Sequence, residues 1–335
     1  MSVLSVHGMG FALASHEITN AFLERDVGLA KDSQWARSRI GIERRFSVLS
    51  PEYISQTKNK NPSQAIVHAR AHGETPVSLG ARAAKQALER AGIQPARVGW
   101  VIANNDTPFE ALPTTASLLA QALGIGSGPH CDVNAGCSSF ARHLQLLSDA
   151  KPETLPEFVL CVQTGAYTVR TDYGPHNIDG YIWGDGAAAQ VVSVKHAGRL
   201  LARPLVFDGD PSGAGDITID GIGHFRQDGQ KVRQFSVRKT CELLELMAET
   251  LDLDLEESFT ITHQANHVMQ NSVIEHLNIP DGRMLRNVRD QGNIAAAGCP
   301  SVMAQHWDEF HQGDKLLYAV VGAGLAWGGG CLEVQ

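Results

Sequence analysis

The 335-residue chain predicts a layered α/β protein with two strand-and-helix halves, on three observations. Short apolar runs of strand character alternate with segments of helical periodicity from end to end. The alternation starts afresh near residue 195, dividing the chain into 1–195 and 196–335, each long enough for a domain-sized core. Hydrophobic residues make up 43% and charged residues 19%, the balance of an ordinary globular protein, and no low-complexity stretch interrupts the pattern.

In the first half VLSVHG opens as a strand, and MSVLSVHGMGF lacks the basic start of a signal peptide. LGARAAKQALERAGI, from Leu79, has helical periodicity, and VGWVIANN reads as a buried strand. Pro113 is expected in the first turn of the helix TTASLLAQALGI, where a missing N–H costs little. HCDVN is a strand, the segment after Cys137 a helix, and EFVLCVQTG and GAAAQVVSV are strands. The second half repeats the idea with RPLVFDG, the long helix KVRQFSVRKTCELLELMAETL, the strand SFTITHQ and the helix HVMQNSVIEHL. A helix near Pro300 and the strands KLLYAVVGAG and GGGCLEV complete it. Polar SPEYISQTKNKNPSQ (50–64) and DYGPHNIDG (172–180) are the expected mobile stretches. GMG at 8–10 lacks the third glycine of a dinucleotide fingerprint, because Leu13 stands there.

Composition narrows function. With 28 basic against 36 acidic residues the net charge is -8, the wrong sign for a general nucleic-acid binder. No apolar run approaches the ~20 residues of a membrane span. The six cysteines are scattered, with no CxxC pair and no compact disulfide framework, so a reducing, cytoplasmic setting is expected.

Cys137 stands at the junction between a strand and a helix in DVNAGCSSF. A thiol there faces unpaired N–H groups and the positive end of the helix dipole, which predicts a lowered pKa and a nucleophile. His263 ends the strand SFTITH, where a sheet delivers side chains to a crevice. His263 and His267 share the i, i+4 spacing of a metal pair, but no acidic third ligand is spaced to join them, and no metal is expected. Asn293 lies in the tight turn RDQGNIAAAG, and VGAGLAWGGG (321–330) is a glycine-rich turn whose N–H groups could face an oxyanion.

Taken in order, DVNAGC, GDGAAA (184–189), HQAN (263–266), GNIAAAGCP (292–300) and GAGLAWG (322–328) resemble the β-ketoacyl-acyl-carrier-protein synthase III family. The resemblance runs nearly end to end. It implies a thiolase-like five-layer αβαβα fold with two pseudo-duplicated halves, and a triad of Cys137, His263 and Asn293. Cys137 would take an acyl group from a thioester. Its N–H and that of Ala323, which stands where the family has glycine, would hold the oxyanion. A second thioester, malonyl or β-ketoacyl in type, would give an enolate that His263 and Asn293 stabilise with hydrogen bonds. Trp35 and Arg170 match the pair that sandwiches the adenine of coenzyme A, and Arg39 matches a phosphate contact. Gly229 and Asn266 match contacts to the pantetheine arm. No cofactor is implied beyond acyl-coenzyme A or acyl-carrier-protein substrates. The resemblance also implies a homodimer, paired through an edge strand near residues 157–164. In it Leu112, before Pro113, would gate the partner's acyl pocket, leaving room for medium or long chains. Glu110, three residues before Pro113, is a candidate base for condensation of two acyl chains without decarboxylation.

Some positions depart from the family. Ser139 replaces the glycine common after the nucleophile, Ile294 a usual threonine, and Arg233 a common apolar residue near the tunnel mouth. The helix after HQAN has no Lys or Arg between Gln264 and Asp281, so a specialised carrier protein or coenzyme A is expected instead of the usual acidic carrier. Acyl transfer to an O or N nucleophile and a Cys-His-Asn hydrolase are the competing activities.

Overall fold

The computed structural model describes residues 4–335. The strand expected from VLSVHG begins at Ser5, and Val3 lies outside the described residues. In the first half β1 (Ser5–Leu13) is followed by the small hairpin of β2 (His16–Thr19) and β3 (Arg44–Ser47), then by β4 (Val98–Asn105), β5 (His130–Asp132), β6 (Phe158–Ala166) and β7 (Asp185–Ser193). The second half has β8 (Leu200–Gly209), the hairpin of β9 (Ile217–Ile219) and β10 (Phe225–Gln227), then β11 (Phe259–Thr262), β12 (Lys315–Gly322) and β13 (Ala326–Val334).

Helix Pro76–Ala91 shows how local sequence fixes an element. Thr75 and Ser78 exchange side-chain to backbone bonds as a capping box, Pro76 occupies the first turn, and Gly92 ends the helix in the left-handed region. Its small residues Ala83 and Ala87 lie against β1. A Cβ at Gly8 would stand 2.3 Å from the Ala87 carbonyl oxygen, and one at Gly10 2.2 Å from that of Ala83. The GMG run therefore allows a helix to close on a strand.

The main strands follow the order β11-β12-β13-β8-β1-β7-β6-β4-β5, as two sheets joined where β8 meets β1. Within it β4-β6-β7-β1 and β11-β12-β13-β8 repeat one pattern. The first pair of each is parallel and the next two are antiparallel. β5 lies parallel beyond β4, and a single parallel bridge from Thr260 to Met284 stands in the same place beyond β11. Among the described residues the two sheets join through two β1–β8 pairs, Ser5 with Leu201 and Val6 with Leu200.

Layering follows from which helix covers which face. Helices Pro76–Ala91 and Thr115–Leu123 cover the first sheet, and Gly229–Leu251 covers β12 and β13. Ser139–Asp149 and Gly298–Gln305 form the middle layer, contacting strands of both sheets. Their Phe140, Leu144, Val302 and Met303 share one buried cluster with Val6, Val159, Tyr318 and Leu332. This is the five-layer thiolase-like fold.

Three expectations need correction. Helix Thr115–Leu123 is capped by Thr114, so Pro113 lies outside its first turn. Residues 50–64 fold into helices starting at Pro51 and Pro62, capped by Ser50 and Asn61. The segment near 157–164 is β6, paired on both sides by β4 and β7, so it cannot be an edge; the edge is β5.

Candidate active site

One cavity of about 840 Å³ gathers chemistry from both halves. Cys137, His263, Asn293 and Ala323 line it, as do Gly229, Asn266 and Arg233. Cys137 is delivered by the turn before helix Ser139–Asp149, His263 by the end of β11, and Asn293 by the turn before Gly298–Gln305.

The Cys137 turn is over-determined. Gly136 has φ 54°, a left-handed conformation that suits glycine. Ser138 Oγ donates to the Ala135 carbonyl at 2.6 Å. Ser139 Oγ donates to the Gly136 carbonyl at 2.7 Å and accepts from the Ala135 N–H at 2.8 Å, so this hydroxyl braces the turn that carries Cys137. The Gly322–Ala323 turn lies directly on it. A Cβ at Gly322 would stand 2.8 Å from both the Cys137 and Ser138 nitrogens, and one at Gly136 would be 3.0 Å from the Ala323 nitrogen. Two backbone turns thus meet at the sulfur.

The expected lowering of the Cys137 pKa is reversed. Burial pushes the thiol up, the nearby Asp106 carboxylate adds to the rise, and the bond from its own N–H offsets only part. The helix proper begins two residues later, at Ser139. A dipole contribution of roughly 0.3–1 kcal/mol is outweighed by desolvation. Burial alone lowers His263 to about 4, and among the described residues its Nδ1 has no hydrogen-bond partner. The resting cavity therefore holds a neutral thiol and a neutral imidazole.

Asn293 is held at three points. Its N–H donates to the Ile182 carbonyl and its carbonyl accepts from the Gly184 N–H, both at 2.9 Å. Its Oδ1 accepts from the Ala295 N–H at 2.8 Å, which leaves Nδ2 as the donor for the cavity. Ile294 is buried against Ala188 and Ala297, a packing role. In HQAN, Gln264 accepts from the Asn287 and Val288 N–H groups, and Asn266 caps helix His267–Leu277. Asp185 of GDGAAA is also structural: it accepts from the Val48 and Thr168 N–H groups and the Thr168 hydroxyl, and burial pushes it up to about 7.

The remaining expected residues do not line this cavity. Trp35 is half-buried, with Lys31 Nζ 5.5 Å from its ring centroid, and Arg39 is exposed. Arg170 is only 3% exposed and reaches the Gly223 carbonyl at 3.4 Å, so it presents no open face to an adenine here. Leu112 is 80% exposed. Glu110 pairs with Arg70 at 2.6 Å on the surface. Helix His267–Leu277 carries no Lys or Arg of its own, but Arg286 donates to its Asn271 at 2.6 Å. Sequence reasoning missed Asp106, Tyr167 and Trp183 on the cavity wall. Asp106 directly follows β4, the same signal that singled out His263.

Known proteins resemble this chain in sequence and in fold. Residues 248–334 match the family described as 3-oxoacyl-[acyl-carrier-protein (ACP)] synthase III C terminal. A β-ketoacyl-[acyl-carrier-protein] synthase III from Streptomyces coelicolor is 29% identical, over 97% of this chain and 95% of that protein. Over nearly its whole length the chain is similar to β-ketoacyl-[acyl-carrier-protein] synthase III proteins. A synthase III from Cereibacter sphaeroides is 28% identical over 96% of each chain. The 3-oxoacyl-[acyl-carrier-protein] synthase III of Aquifex aeolicus superposes with a TM-score of 0.85 at 25% identity, covering 98% of this chain and 99% of that one. Synthase III-like proteins thus share this fold over nearly their whole length.

Proposed function

We propose that the protein is a condensing acyltransferase that loads an acyl group from a thioester onto Cys137 and joins it to a second thioester. The convergence of Cys137, His263 and Asn293 on one cavity carries this reading. The Cys137 sulfur attacks the thioester carbonyl while the N–H groups of Cys137 and Ala323 hold the oxyanion. The carrier thiol leaves with the proton that the cysteine loses. The second thioester, malonyl or β-ketoacyl in type, becomes an enolate by losing carbon dioxide or a proton. His263, neutral because burial holds it near 4, and Asn293 Nδ2 donate to the enolate oxygen. Each such donor is worth about 2.7–4 kcal/mol of barrier. Residues 1–195 supply the nucleophile and 196–335 the two donors.

Coenzyme A is the proposed first carrier, its pantetheine arm passing Gly229 and Asn266, which line the cavity. Trp35 and Arg39 lie outside the cavity, where the nucleotide end would rest, and Arg170 would join them if the β9–β10 hairpin lifted. No cofactor is required by this chemistry. The chain would work in the cytoplasm as a homodimer, with Leu112 walling the partner's pocket.

The test is intact-mass spectrometry after incubation with a panel of acyl-coenzyme A thioesters. Wild type gains one acyl mass and Cys137→Ala gains none. A label that persists in that variant, or maps to Cys131, overturns the assignment.

A further inference from the structure

The wall around Cys137 is divided by chemistry. Tyr167 stacks on Trp183, with centroids 4.6 Å apart and planes 12° from parallel, and Phe225 meets Trp183 edge-on at 4.5 Å. Cys137 packs against this aromatic cluster. Next to the Tyr167 hydroxyl, Asn105, Asp106 and Asn134 line the same cavity. A pocket for plain hydrocarbon has no use for a carboxylate, and burying one without compensation is costly.

Asp106 is only partly compensated. Its Oδ2 accepts from the Tyr167 hydroxyl at 2.7 Å and its Oδ1 from Asn104 Nδ2 at 3.0 Å. An ionised carboxylate can accept about four hydrogen bonds, so two leave acceptor capacity unused. Among the described residues no Lys, Arg or His pairs with it, and burial pushes its pKa up despite the two donors. Asp106 lines the same cavity as Cys137, where an acyl group on the sulfur would lie. A donor on the bound acyl group would meet this capacity, and an all-carbon chain would strip water from the carboxylate and return nothing.

We propose that Asp106 selects the acyl group, favouring thioesters that carry a hydroxyl or ammonium donor within a few bonds of the reacting carbonyl. The carbon skeleton lies on the Tyr167–Trp183 face and the donor meets the carboxylate. This rests on Cys137 being the acylated residue.

The test follows the rate of Cys137 acylation by intact mass with butanoyl-, 3-hydroxybutanoyl- and 3-aminobutanoyl-coenzyme A, which share one chain length. Wild type is expected to load the two donor-bearing substrates about tenfold faster than butanoyl, the discrimination one hydrogen bond to a charged group supplies. Asp106→Leu should abolish or reverse that ratio. Asp106→Asn should keep the hydroxyl preference and lose the ammonium preference. Each ratio compares substrates on one protein, so a partly unfolded variant does not mimic the effect. Butanoyl loading as fast as the others in wild type, or an unchanged ratio in Asp106→Leu, overturns the selection while leaving the acyl-enzyme intact. No loading from any thioester overturns both.

Discussion

Arg70 Nη2 meets Glu110 Oε1 at 2.6 Å, and the same nitrogen donates to the Phe109 carbonyl at 2.8 Å. The guanidinium also lies 5.7 Å from the Phe109 ring centroid. Glu110 is thereby fastened to the outer face of its own protomer, away from the cavity. Glu110→Gln should leave Cys137 acylation and the later condensation unchanged when the two are assayed separately. Stability should shift by no more than about 1 kcal/mol, as for other exposed ion pairs. Normal acylation with lost condensation would instead make it the base.

Gly322 tests the junction of the two turns. Its added Cβ would meet backbone nitrogen, which cannot swing aside as a flexible side chain can. Gly322→Ala should cost about 1–3 kcal/mol through overpacking. It should also slow acylation by about 10²-fold or more, since it moves the amides of Cys137 and Ala323. Urea melts and single-turnover acylation measure the two effects, and native acylation would separate this turn from the oxyanion.

The pH dependence of stability is set partly by His143, which is fully buried and lowered to about 4, chiefly by burial. Its Nε2 lies 2.8 Å from the Val133 carbonyl and its Nδ1 2.9 Å from Gln163 Nε2, so both nitrogens are satisfied in the neutral ring. Below about pH 6.5 the unfolded chain takes up this proton and the folded chain does not until about 4. Stability is therefore fully present above that window and lost as pH falls through it, by of the order of 3 kcal/mol from this one group. Asp185, raised to about 7, opposes the trend, because there the folded chain holds the extra proton. Comparing wild type with His143→Gln by urea unfolding at pH 7 and pH 5 isolates the histidine, and equal losses in both proteins would refute it.

A dimer should form through the edge beyond β4. β5 is a three-residue strand paired only with β4, and Leu112 is left exposed. Light scattering at micromolar concentration should report a dimer, and Leu112→Arg should weaken it or slow acylation by longer chains. A stable monomer with full activity would count against both roles.

Much of this was legible in the sequence because it rests on local rules. KVRQFSVRKTCELLELMAETL is a helix, and the turn residues around Cys137, His263 and Asn293 mark the ends of elements. Residues 50–64 were misread as mobile because their polarity outweighed two helix starts, Ser50-Pro51 and Asn61-Pro62. The edge was misplaced because strand neighbours are set by tertiary topology: FVLCVQTGA is flanked by β4 and β7, which its own residues do not announce. The Cys137 pKa was misjudged because dipole arguments are local, whereas desolvation depends on what the rest of the chain stacks around the sulfur.

The middle layer has a further consequence for reactivity. Helices Ser139–Asp149 and Gly298–Gln305 are clamped between two sheets, so baring the sulfur from the layer side requires the sheets to part. Under native conditions reagents reach Cys137 only through the cavity. Alkylation should therefore fall off with the girth of the electrophile, slender iodoacetamide reacting and bulky maleimides waiting for global denaturation. The thiol thereby reports on the whole architecture, serving as a built-in gauge of when the layers come apart.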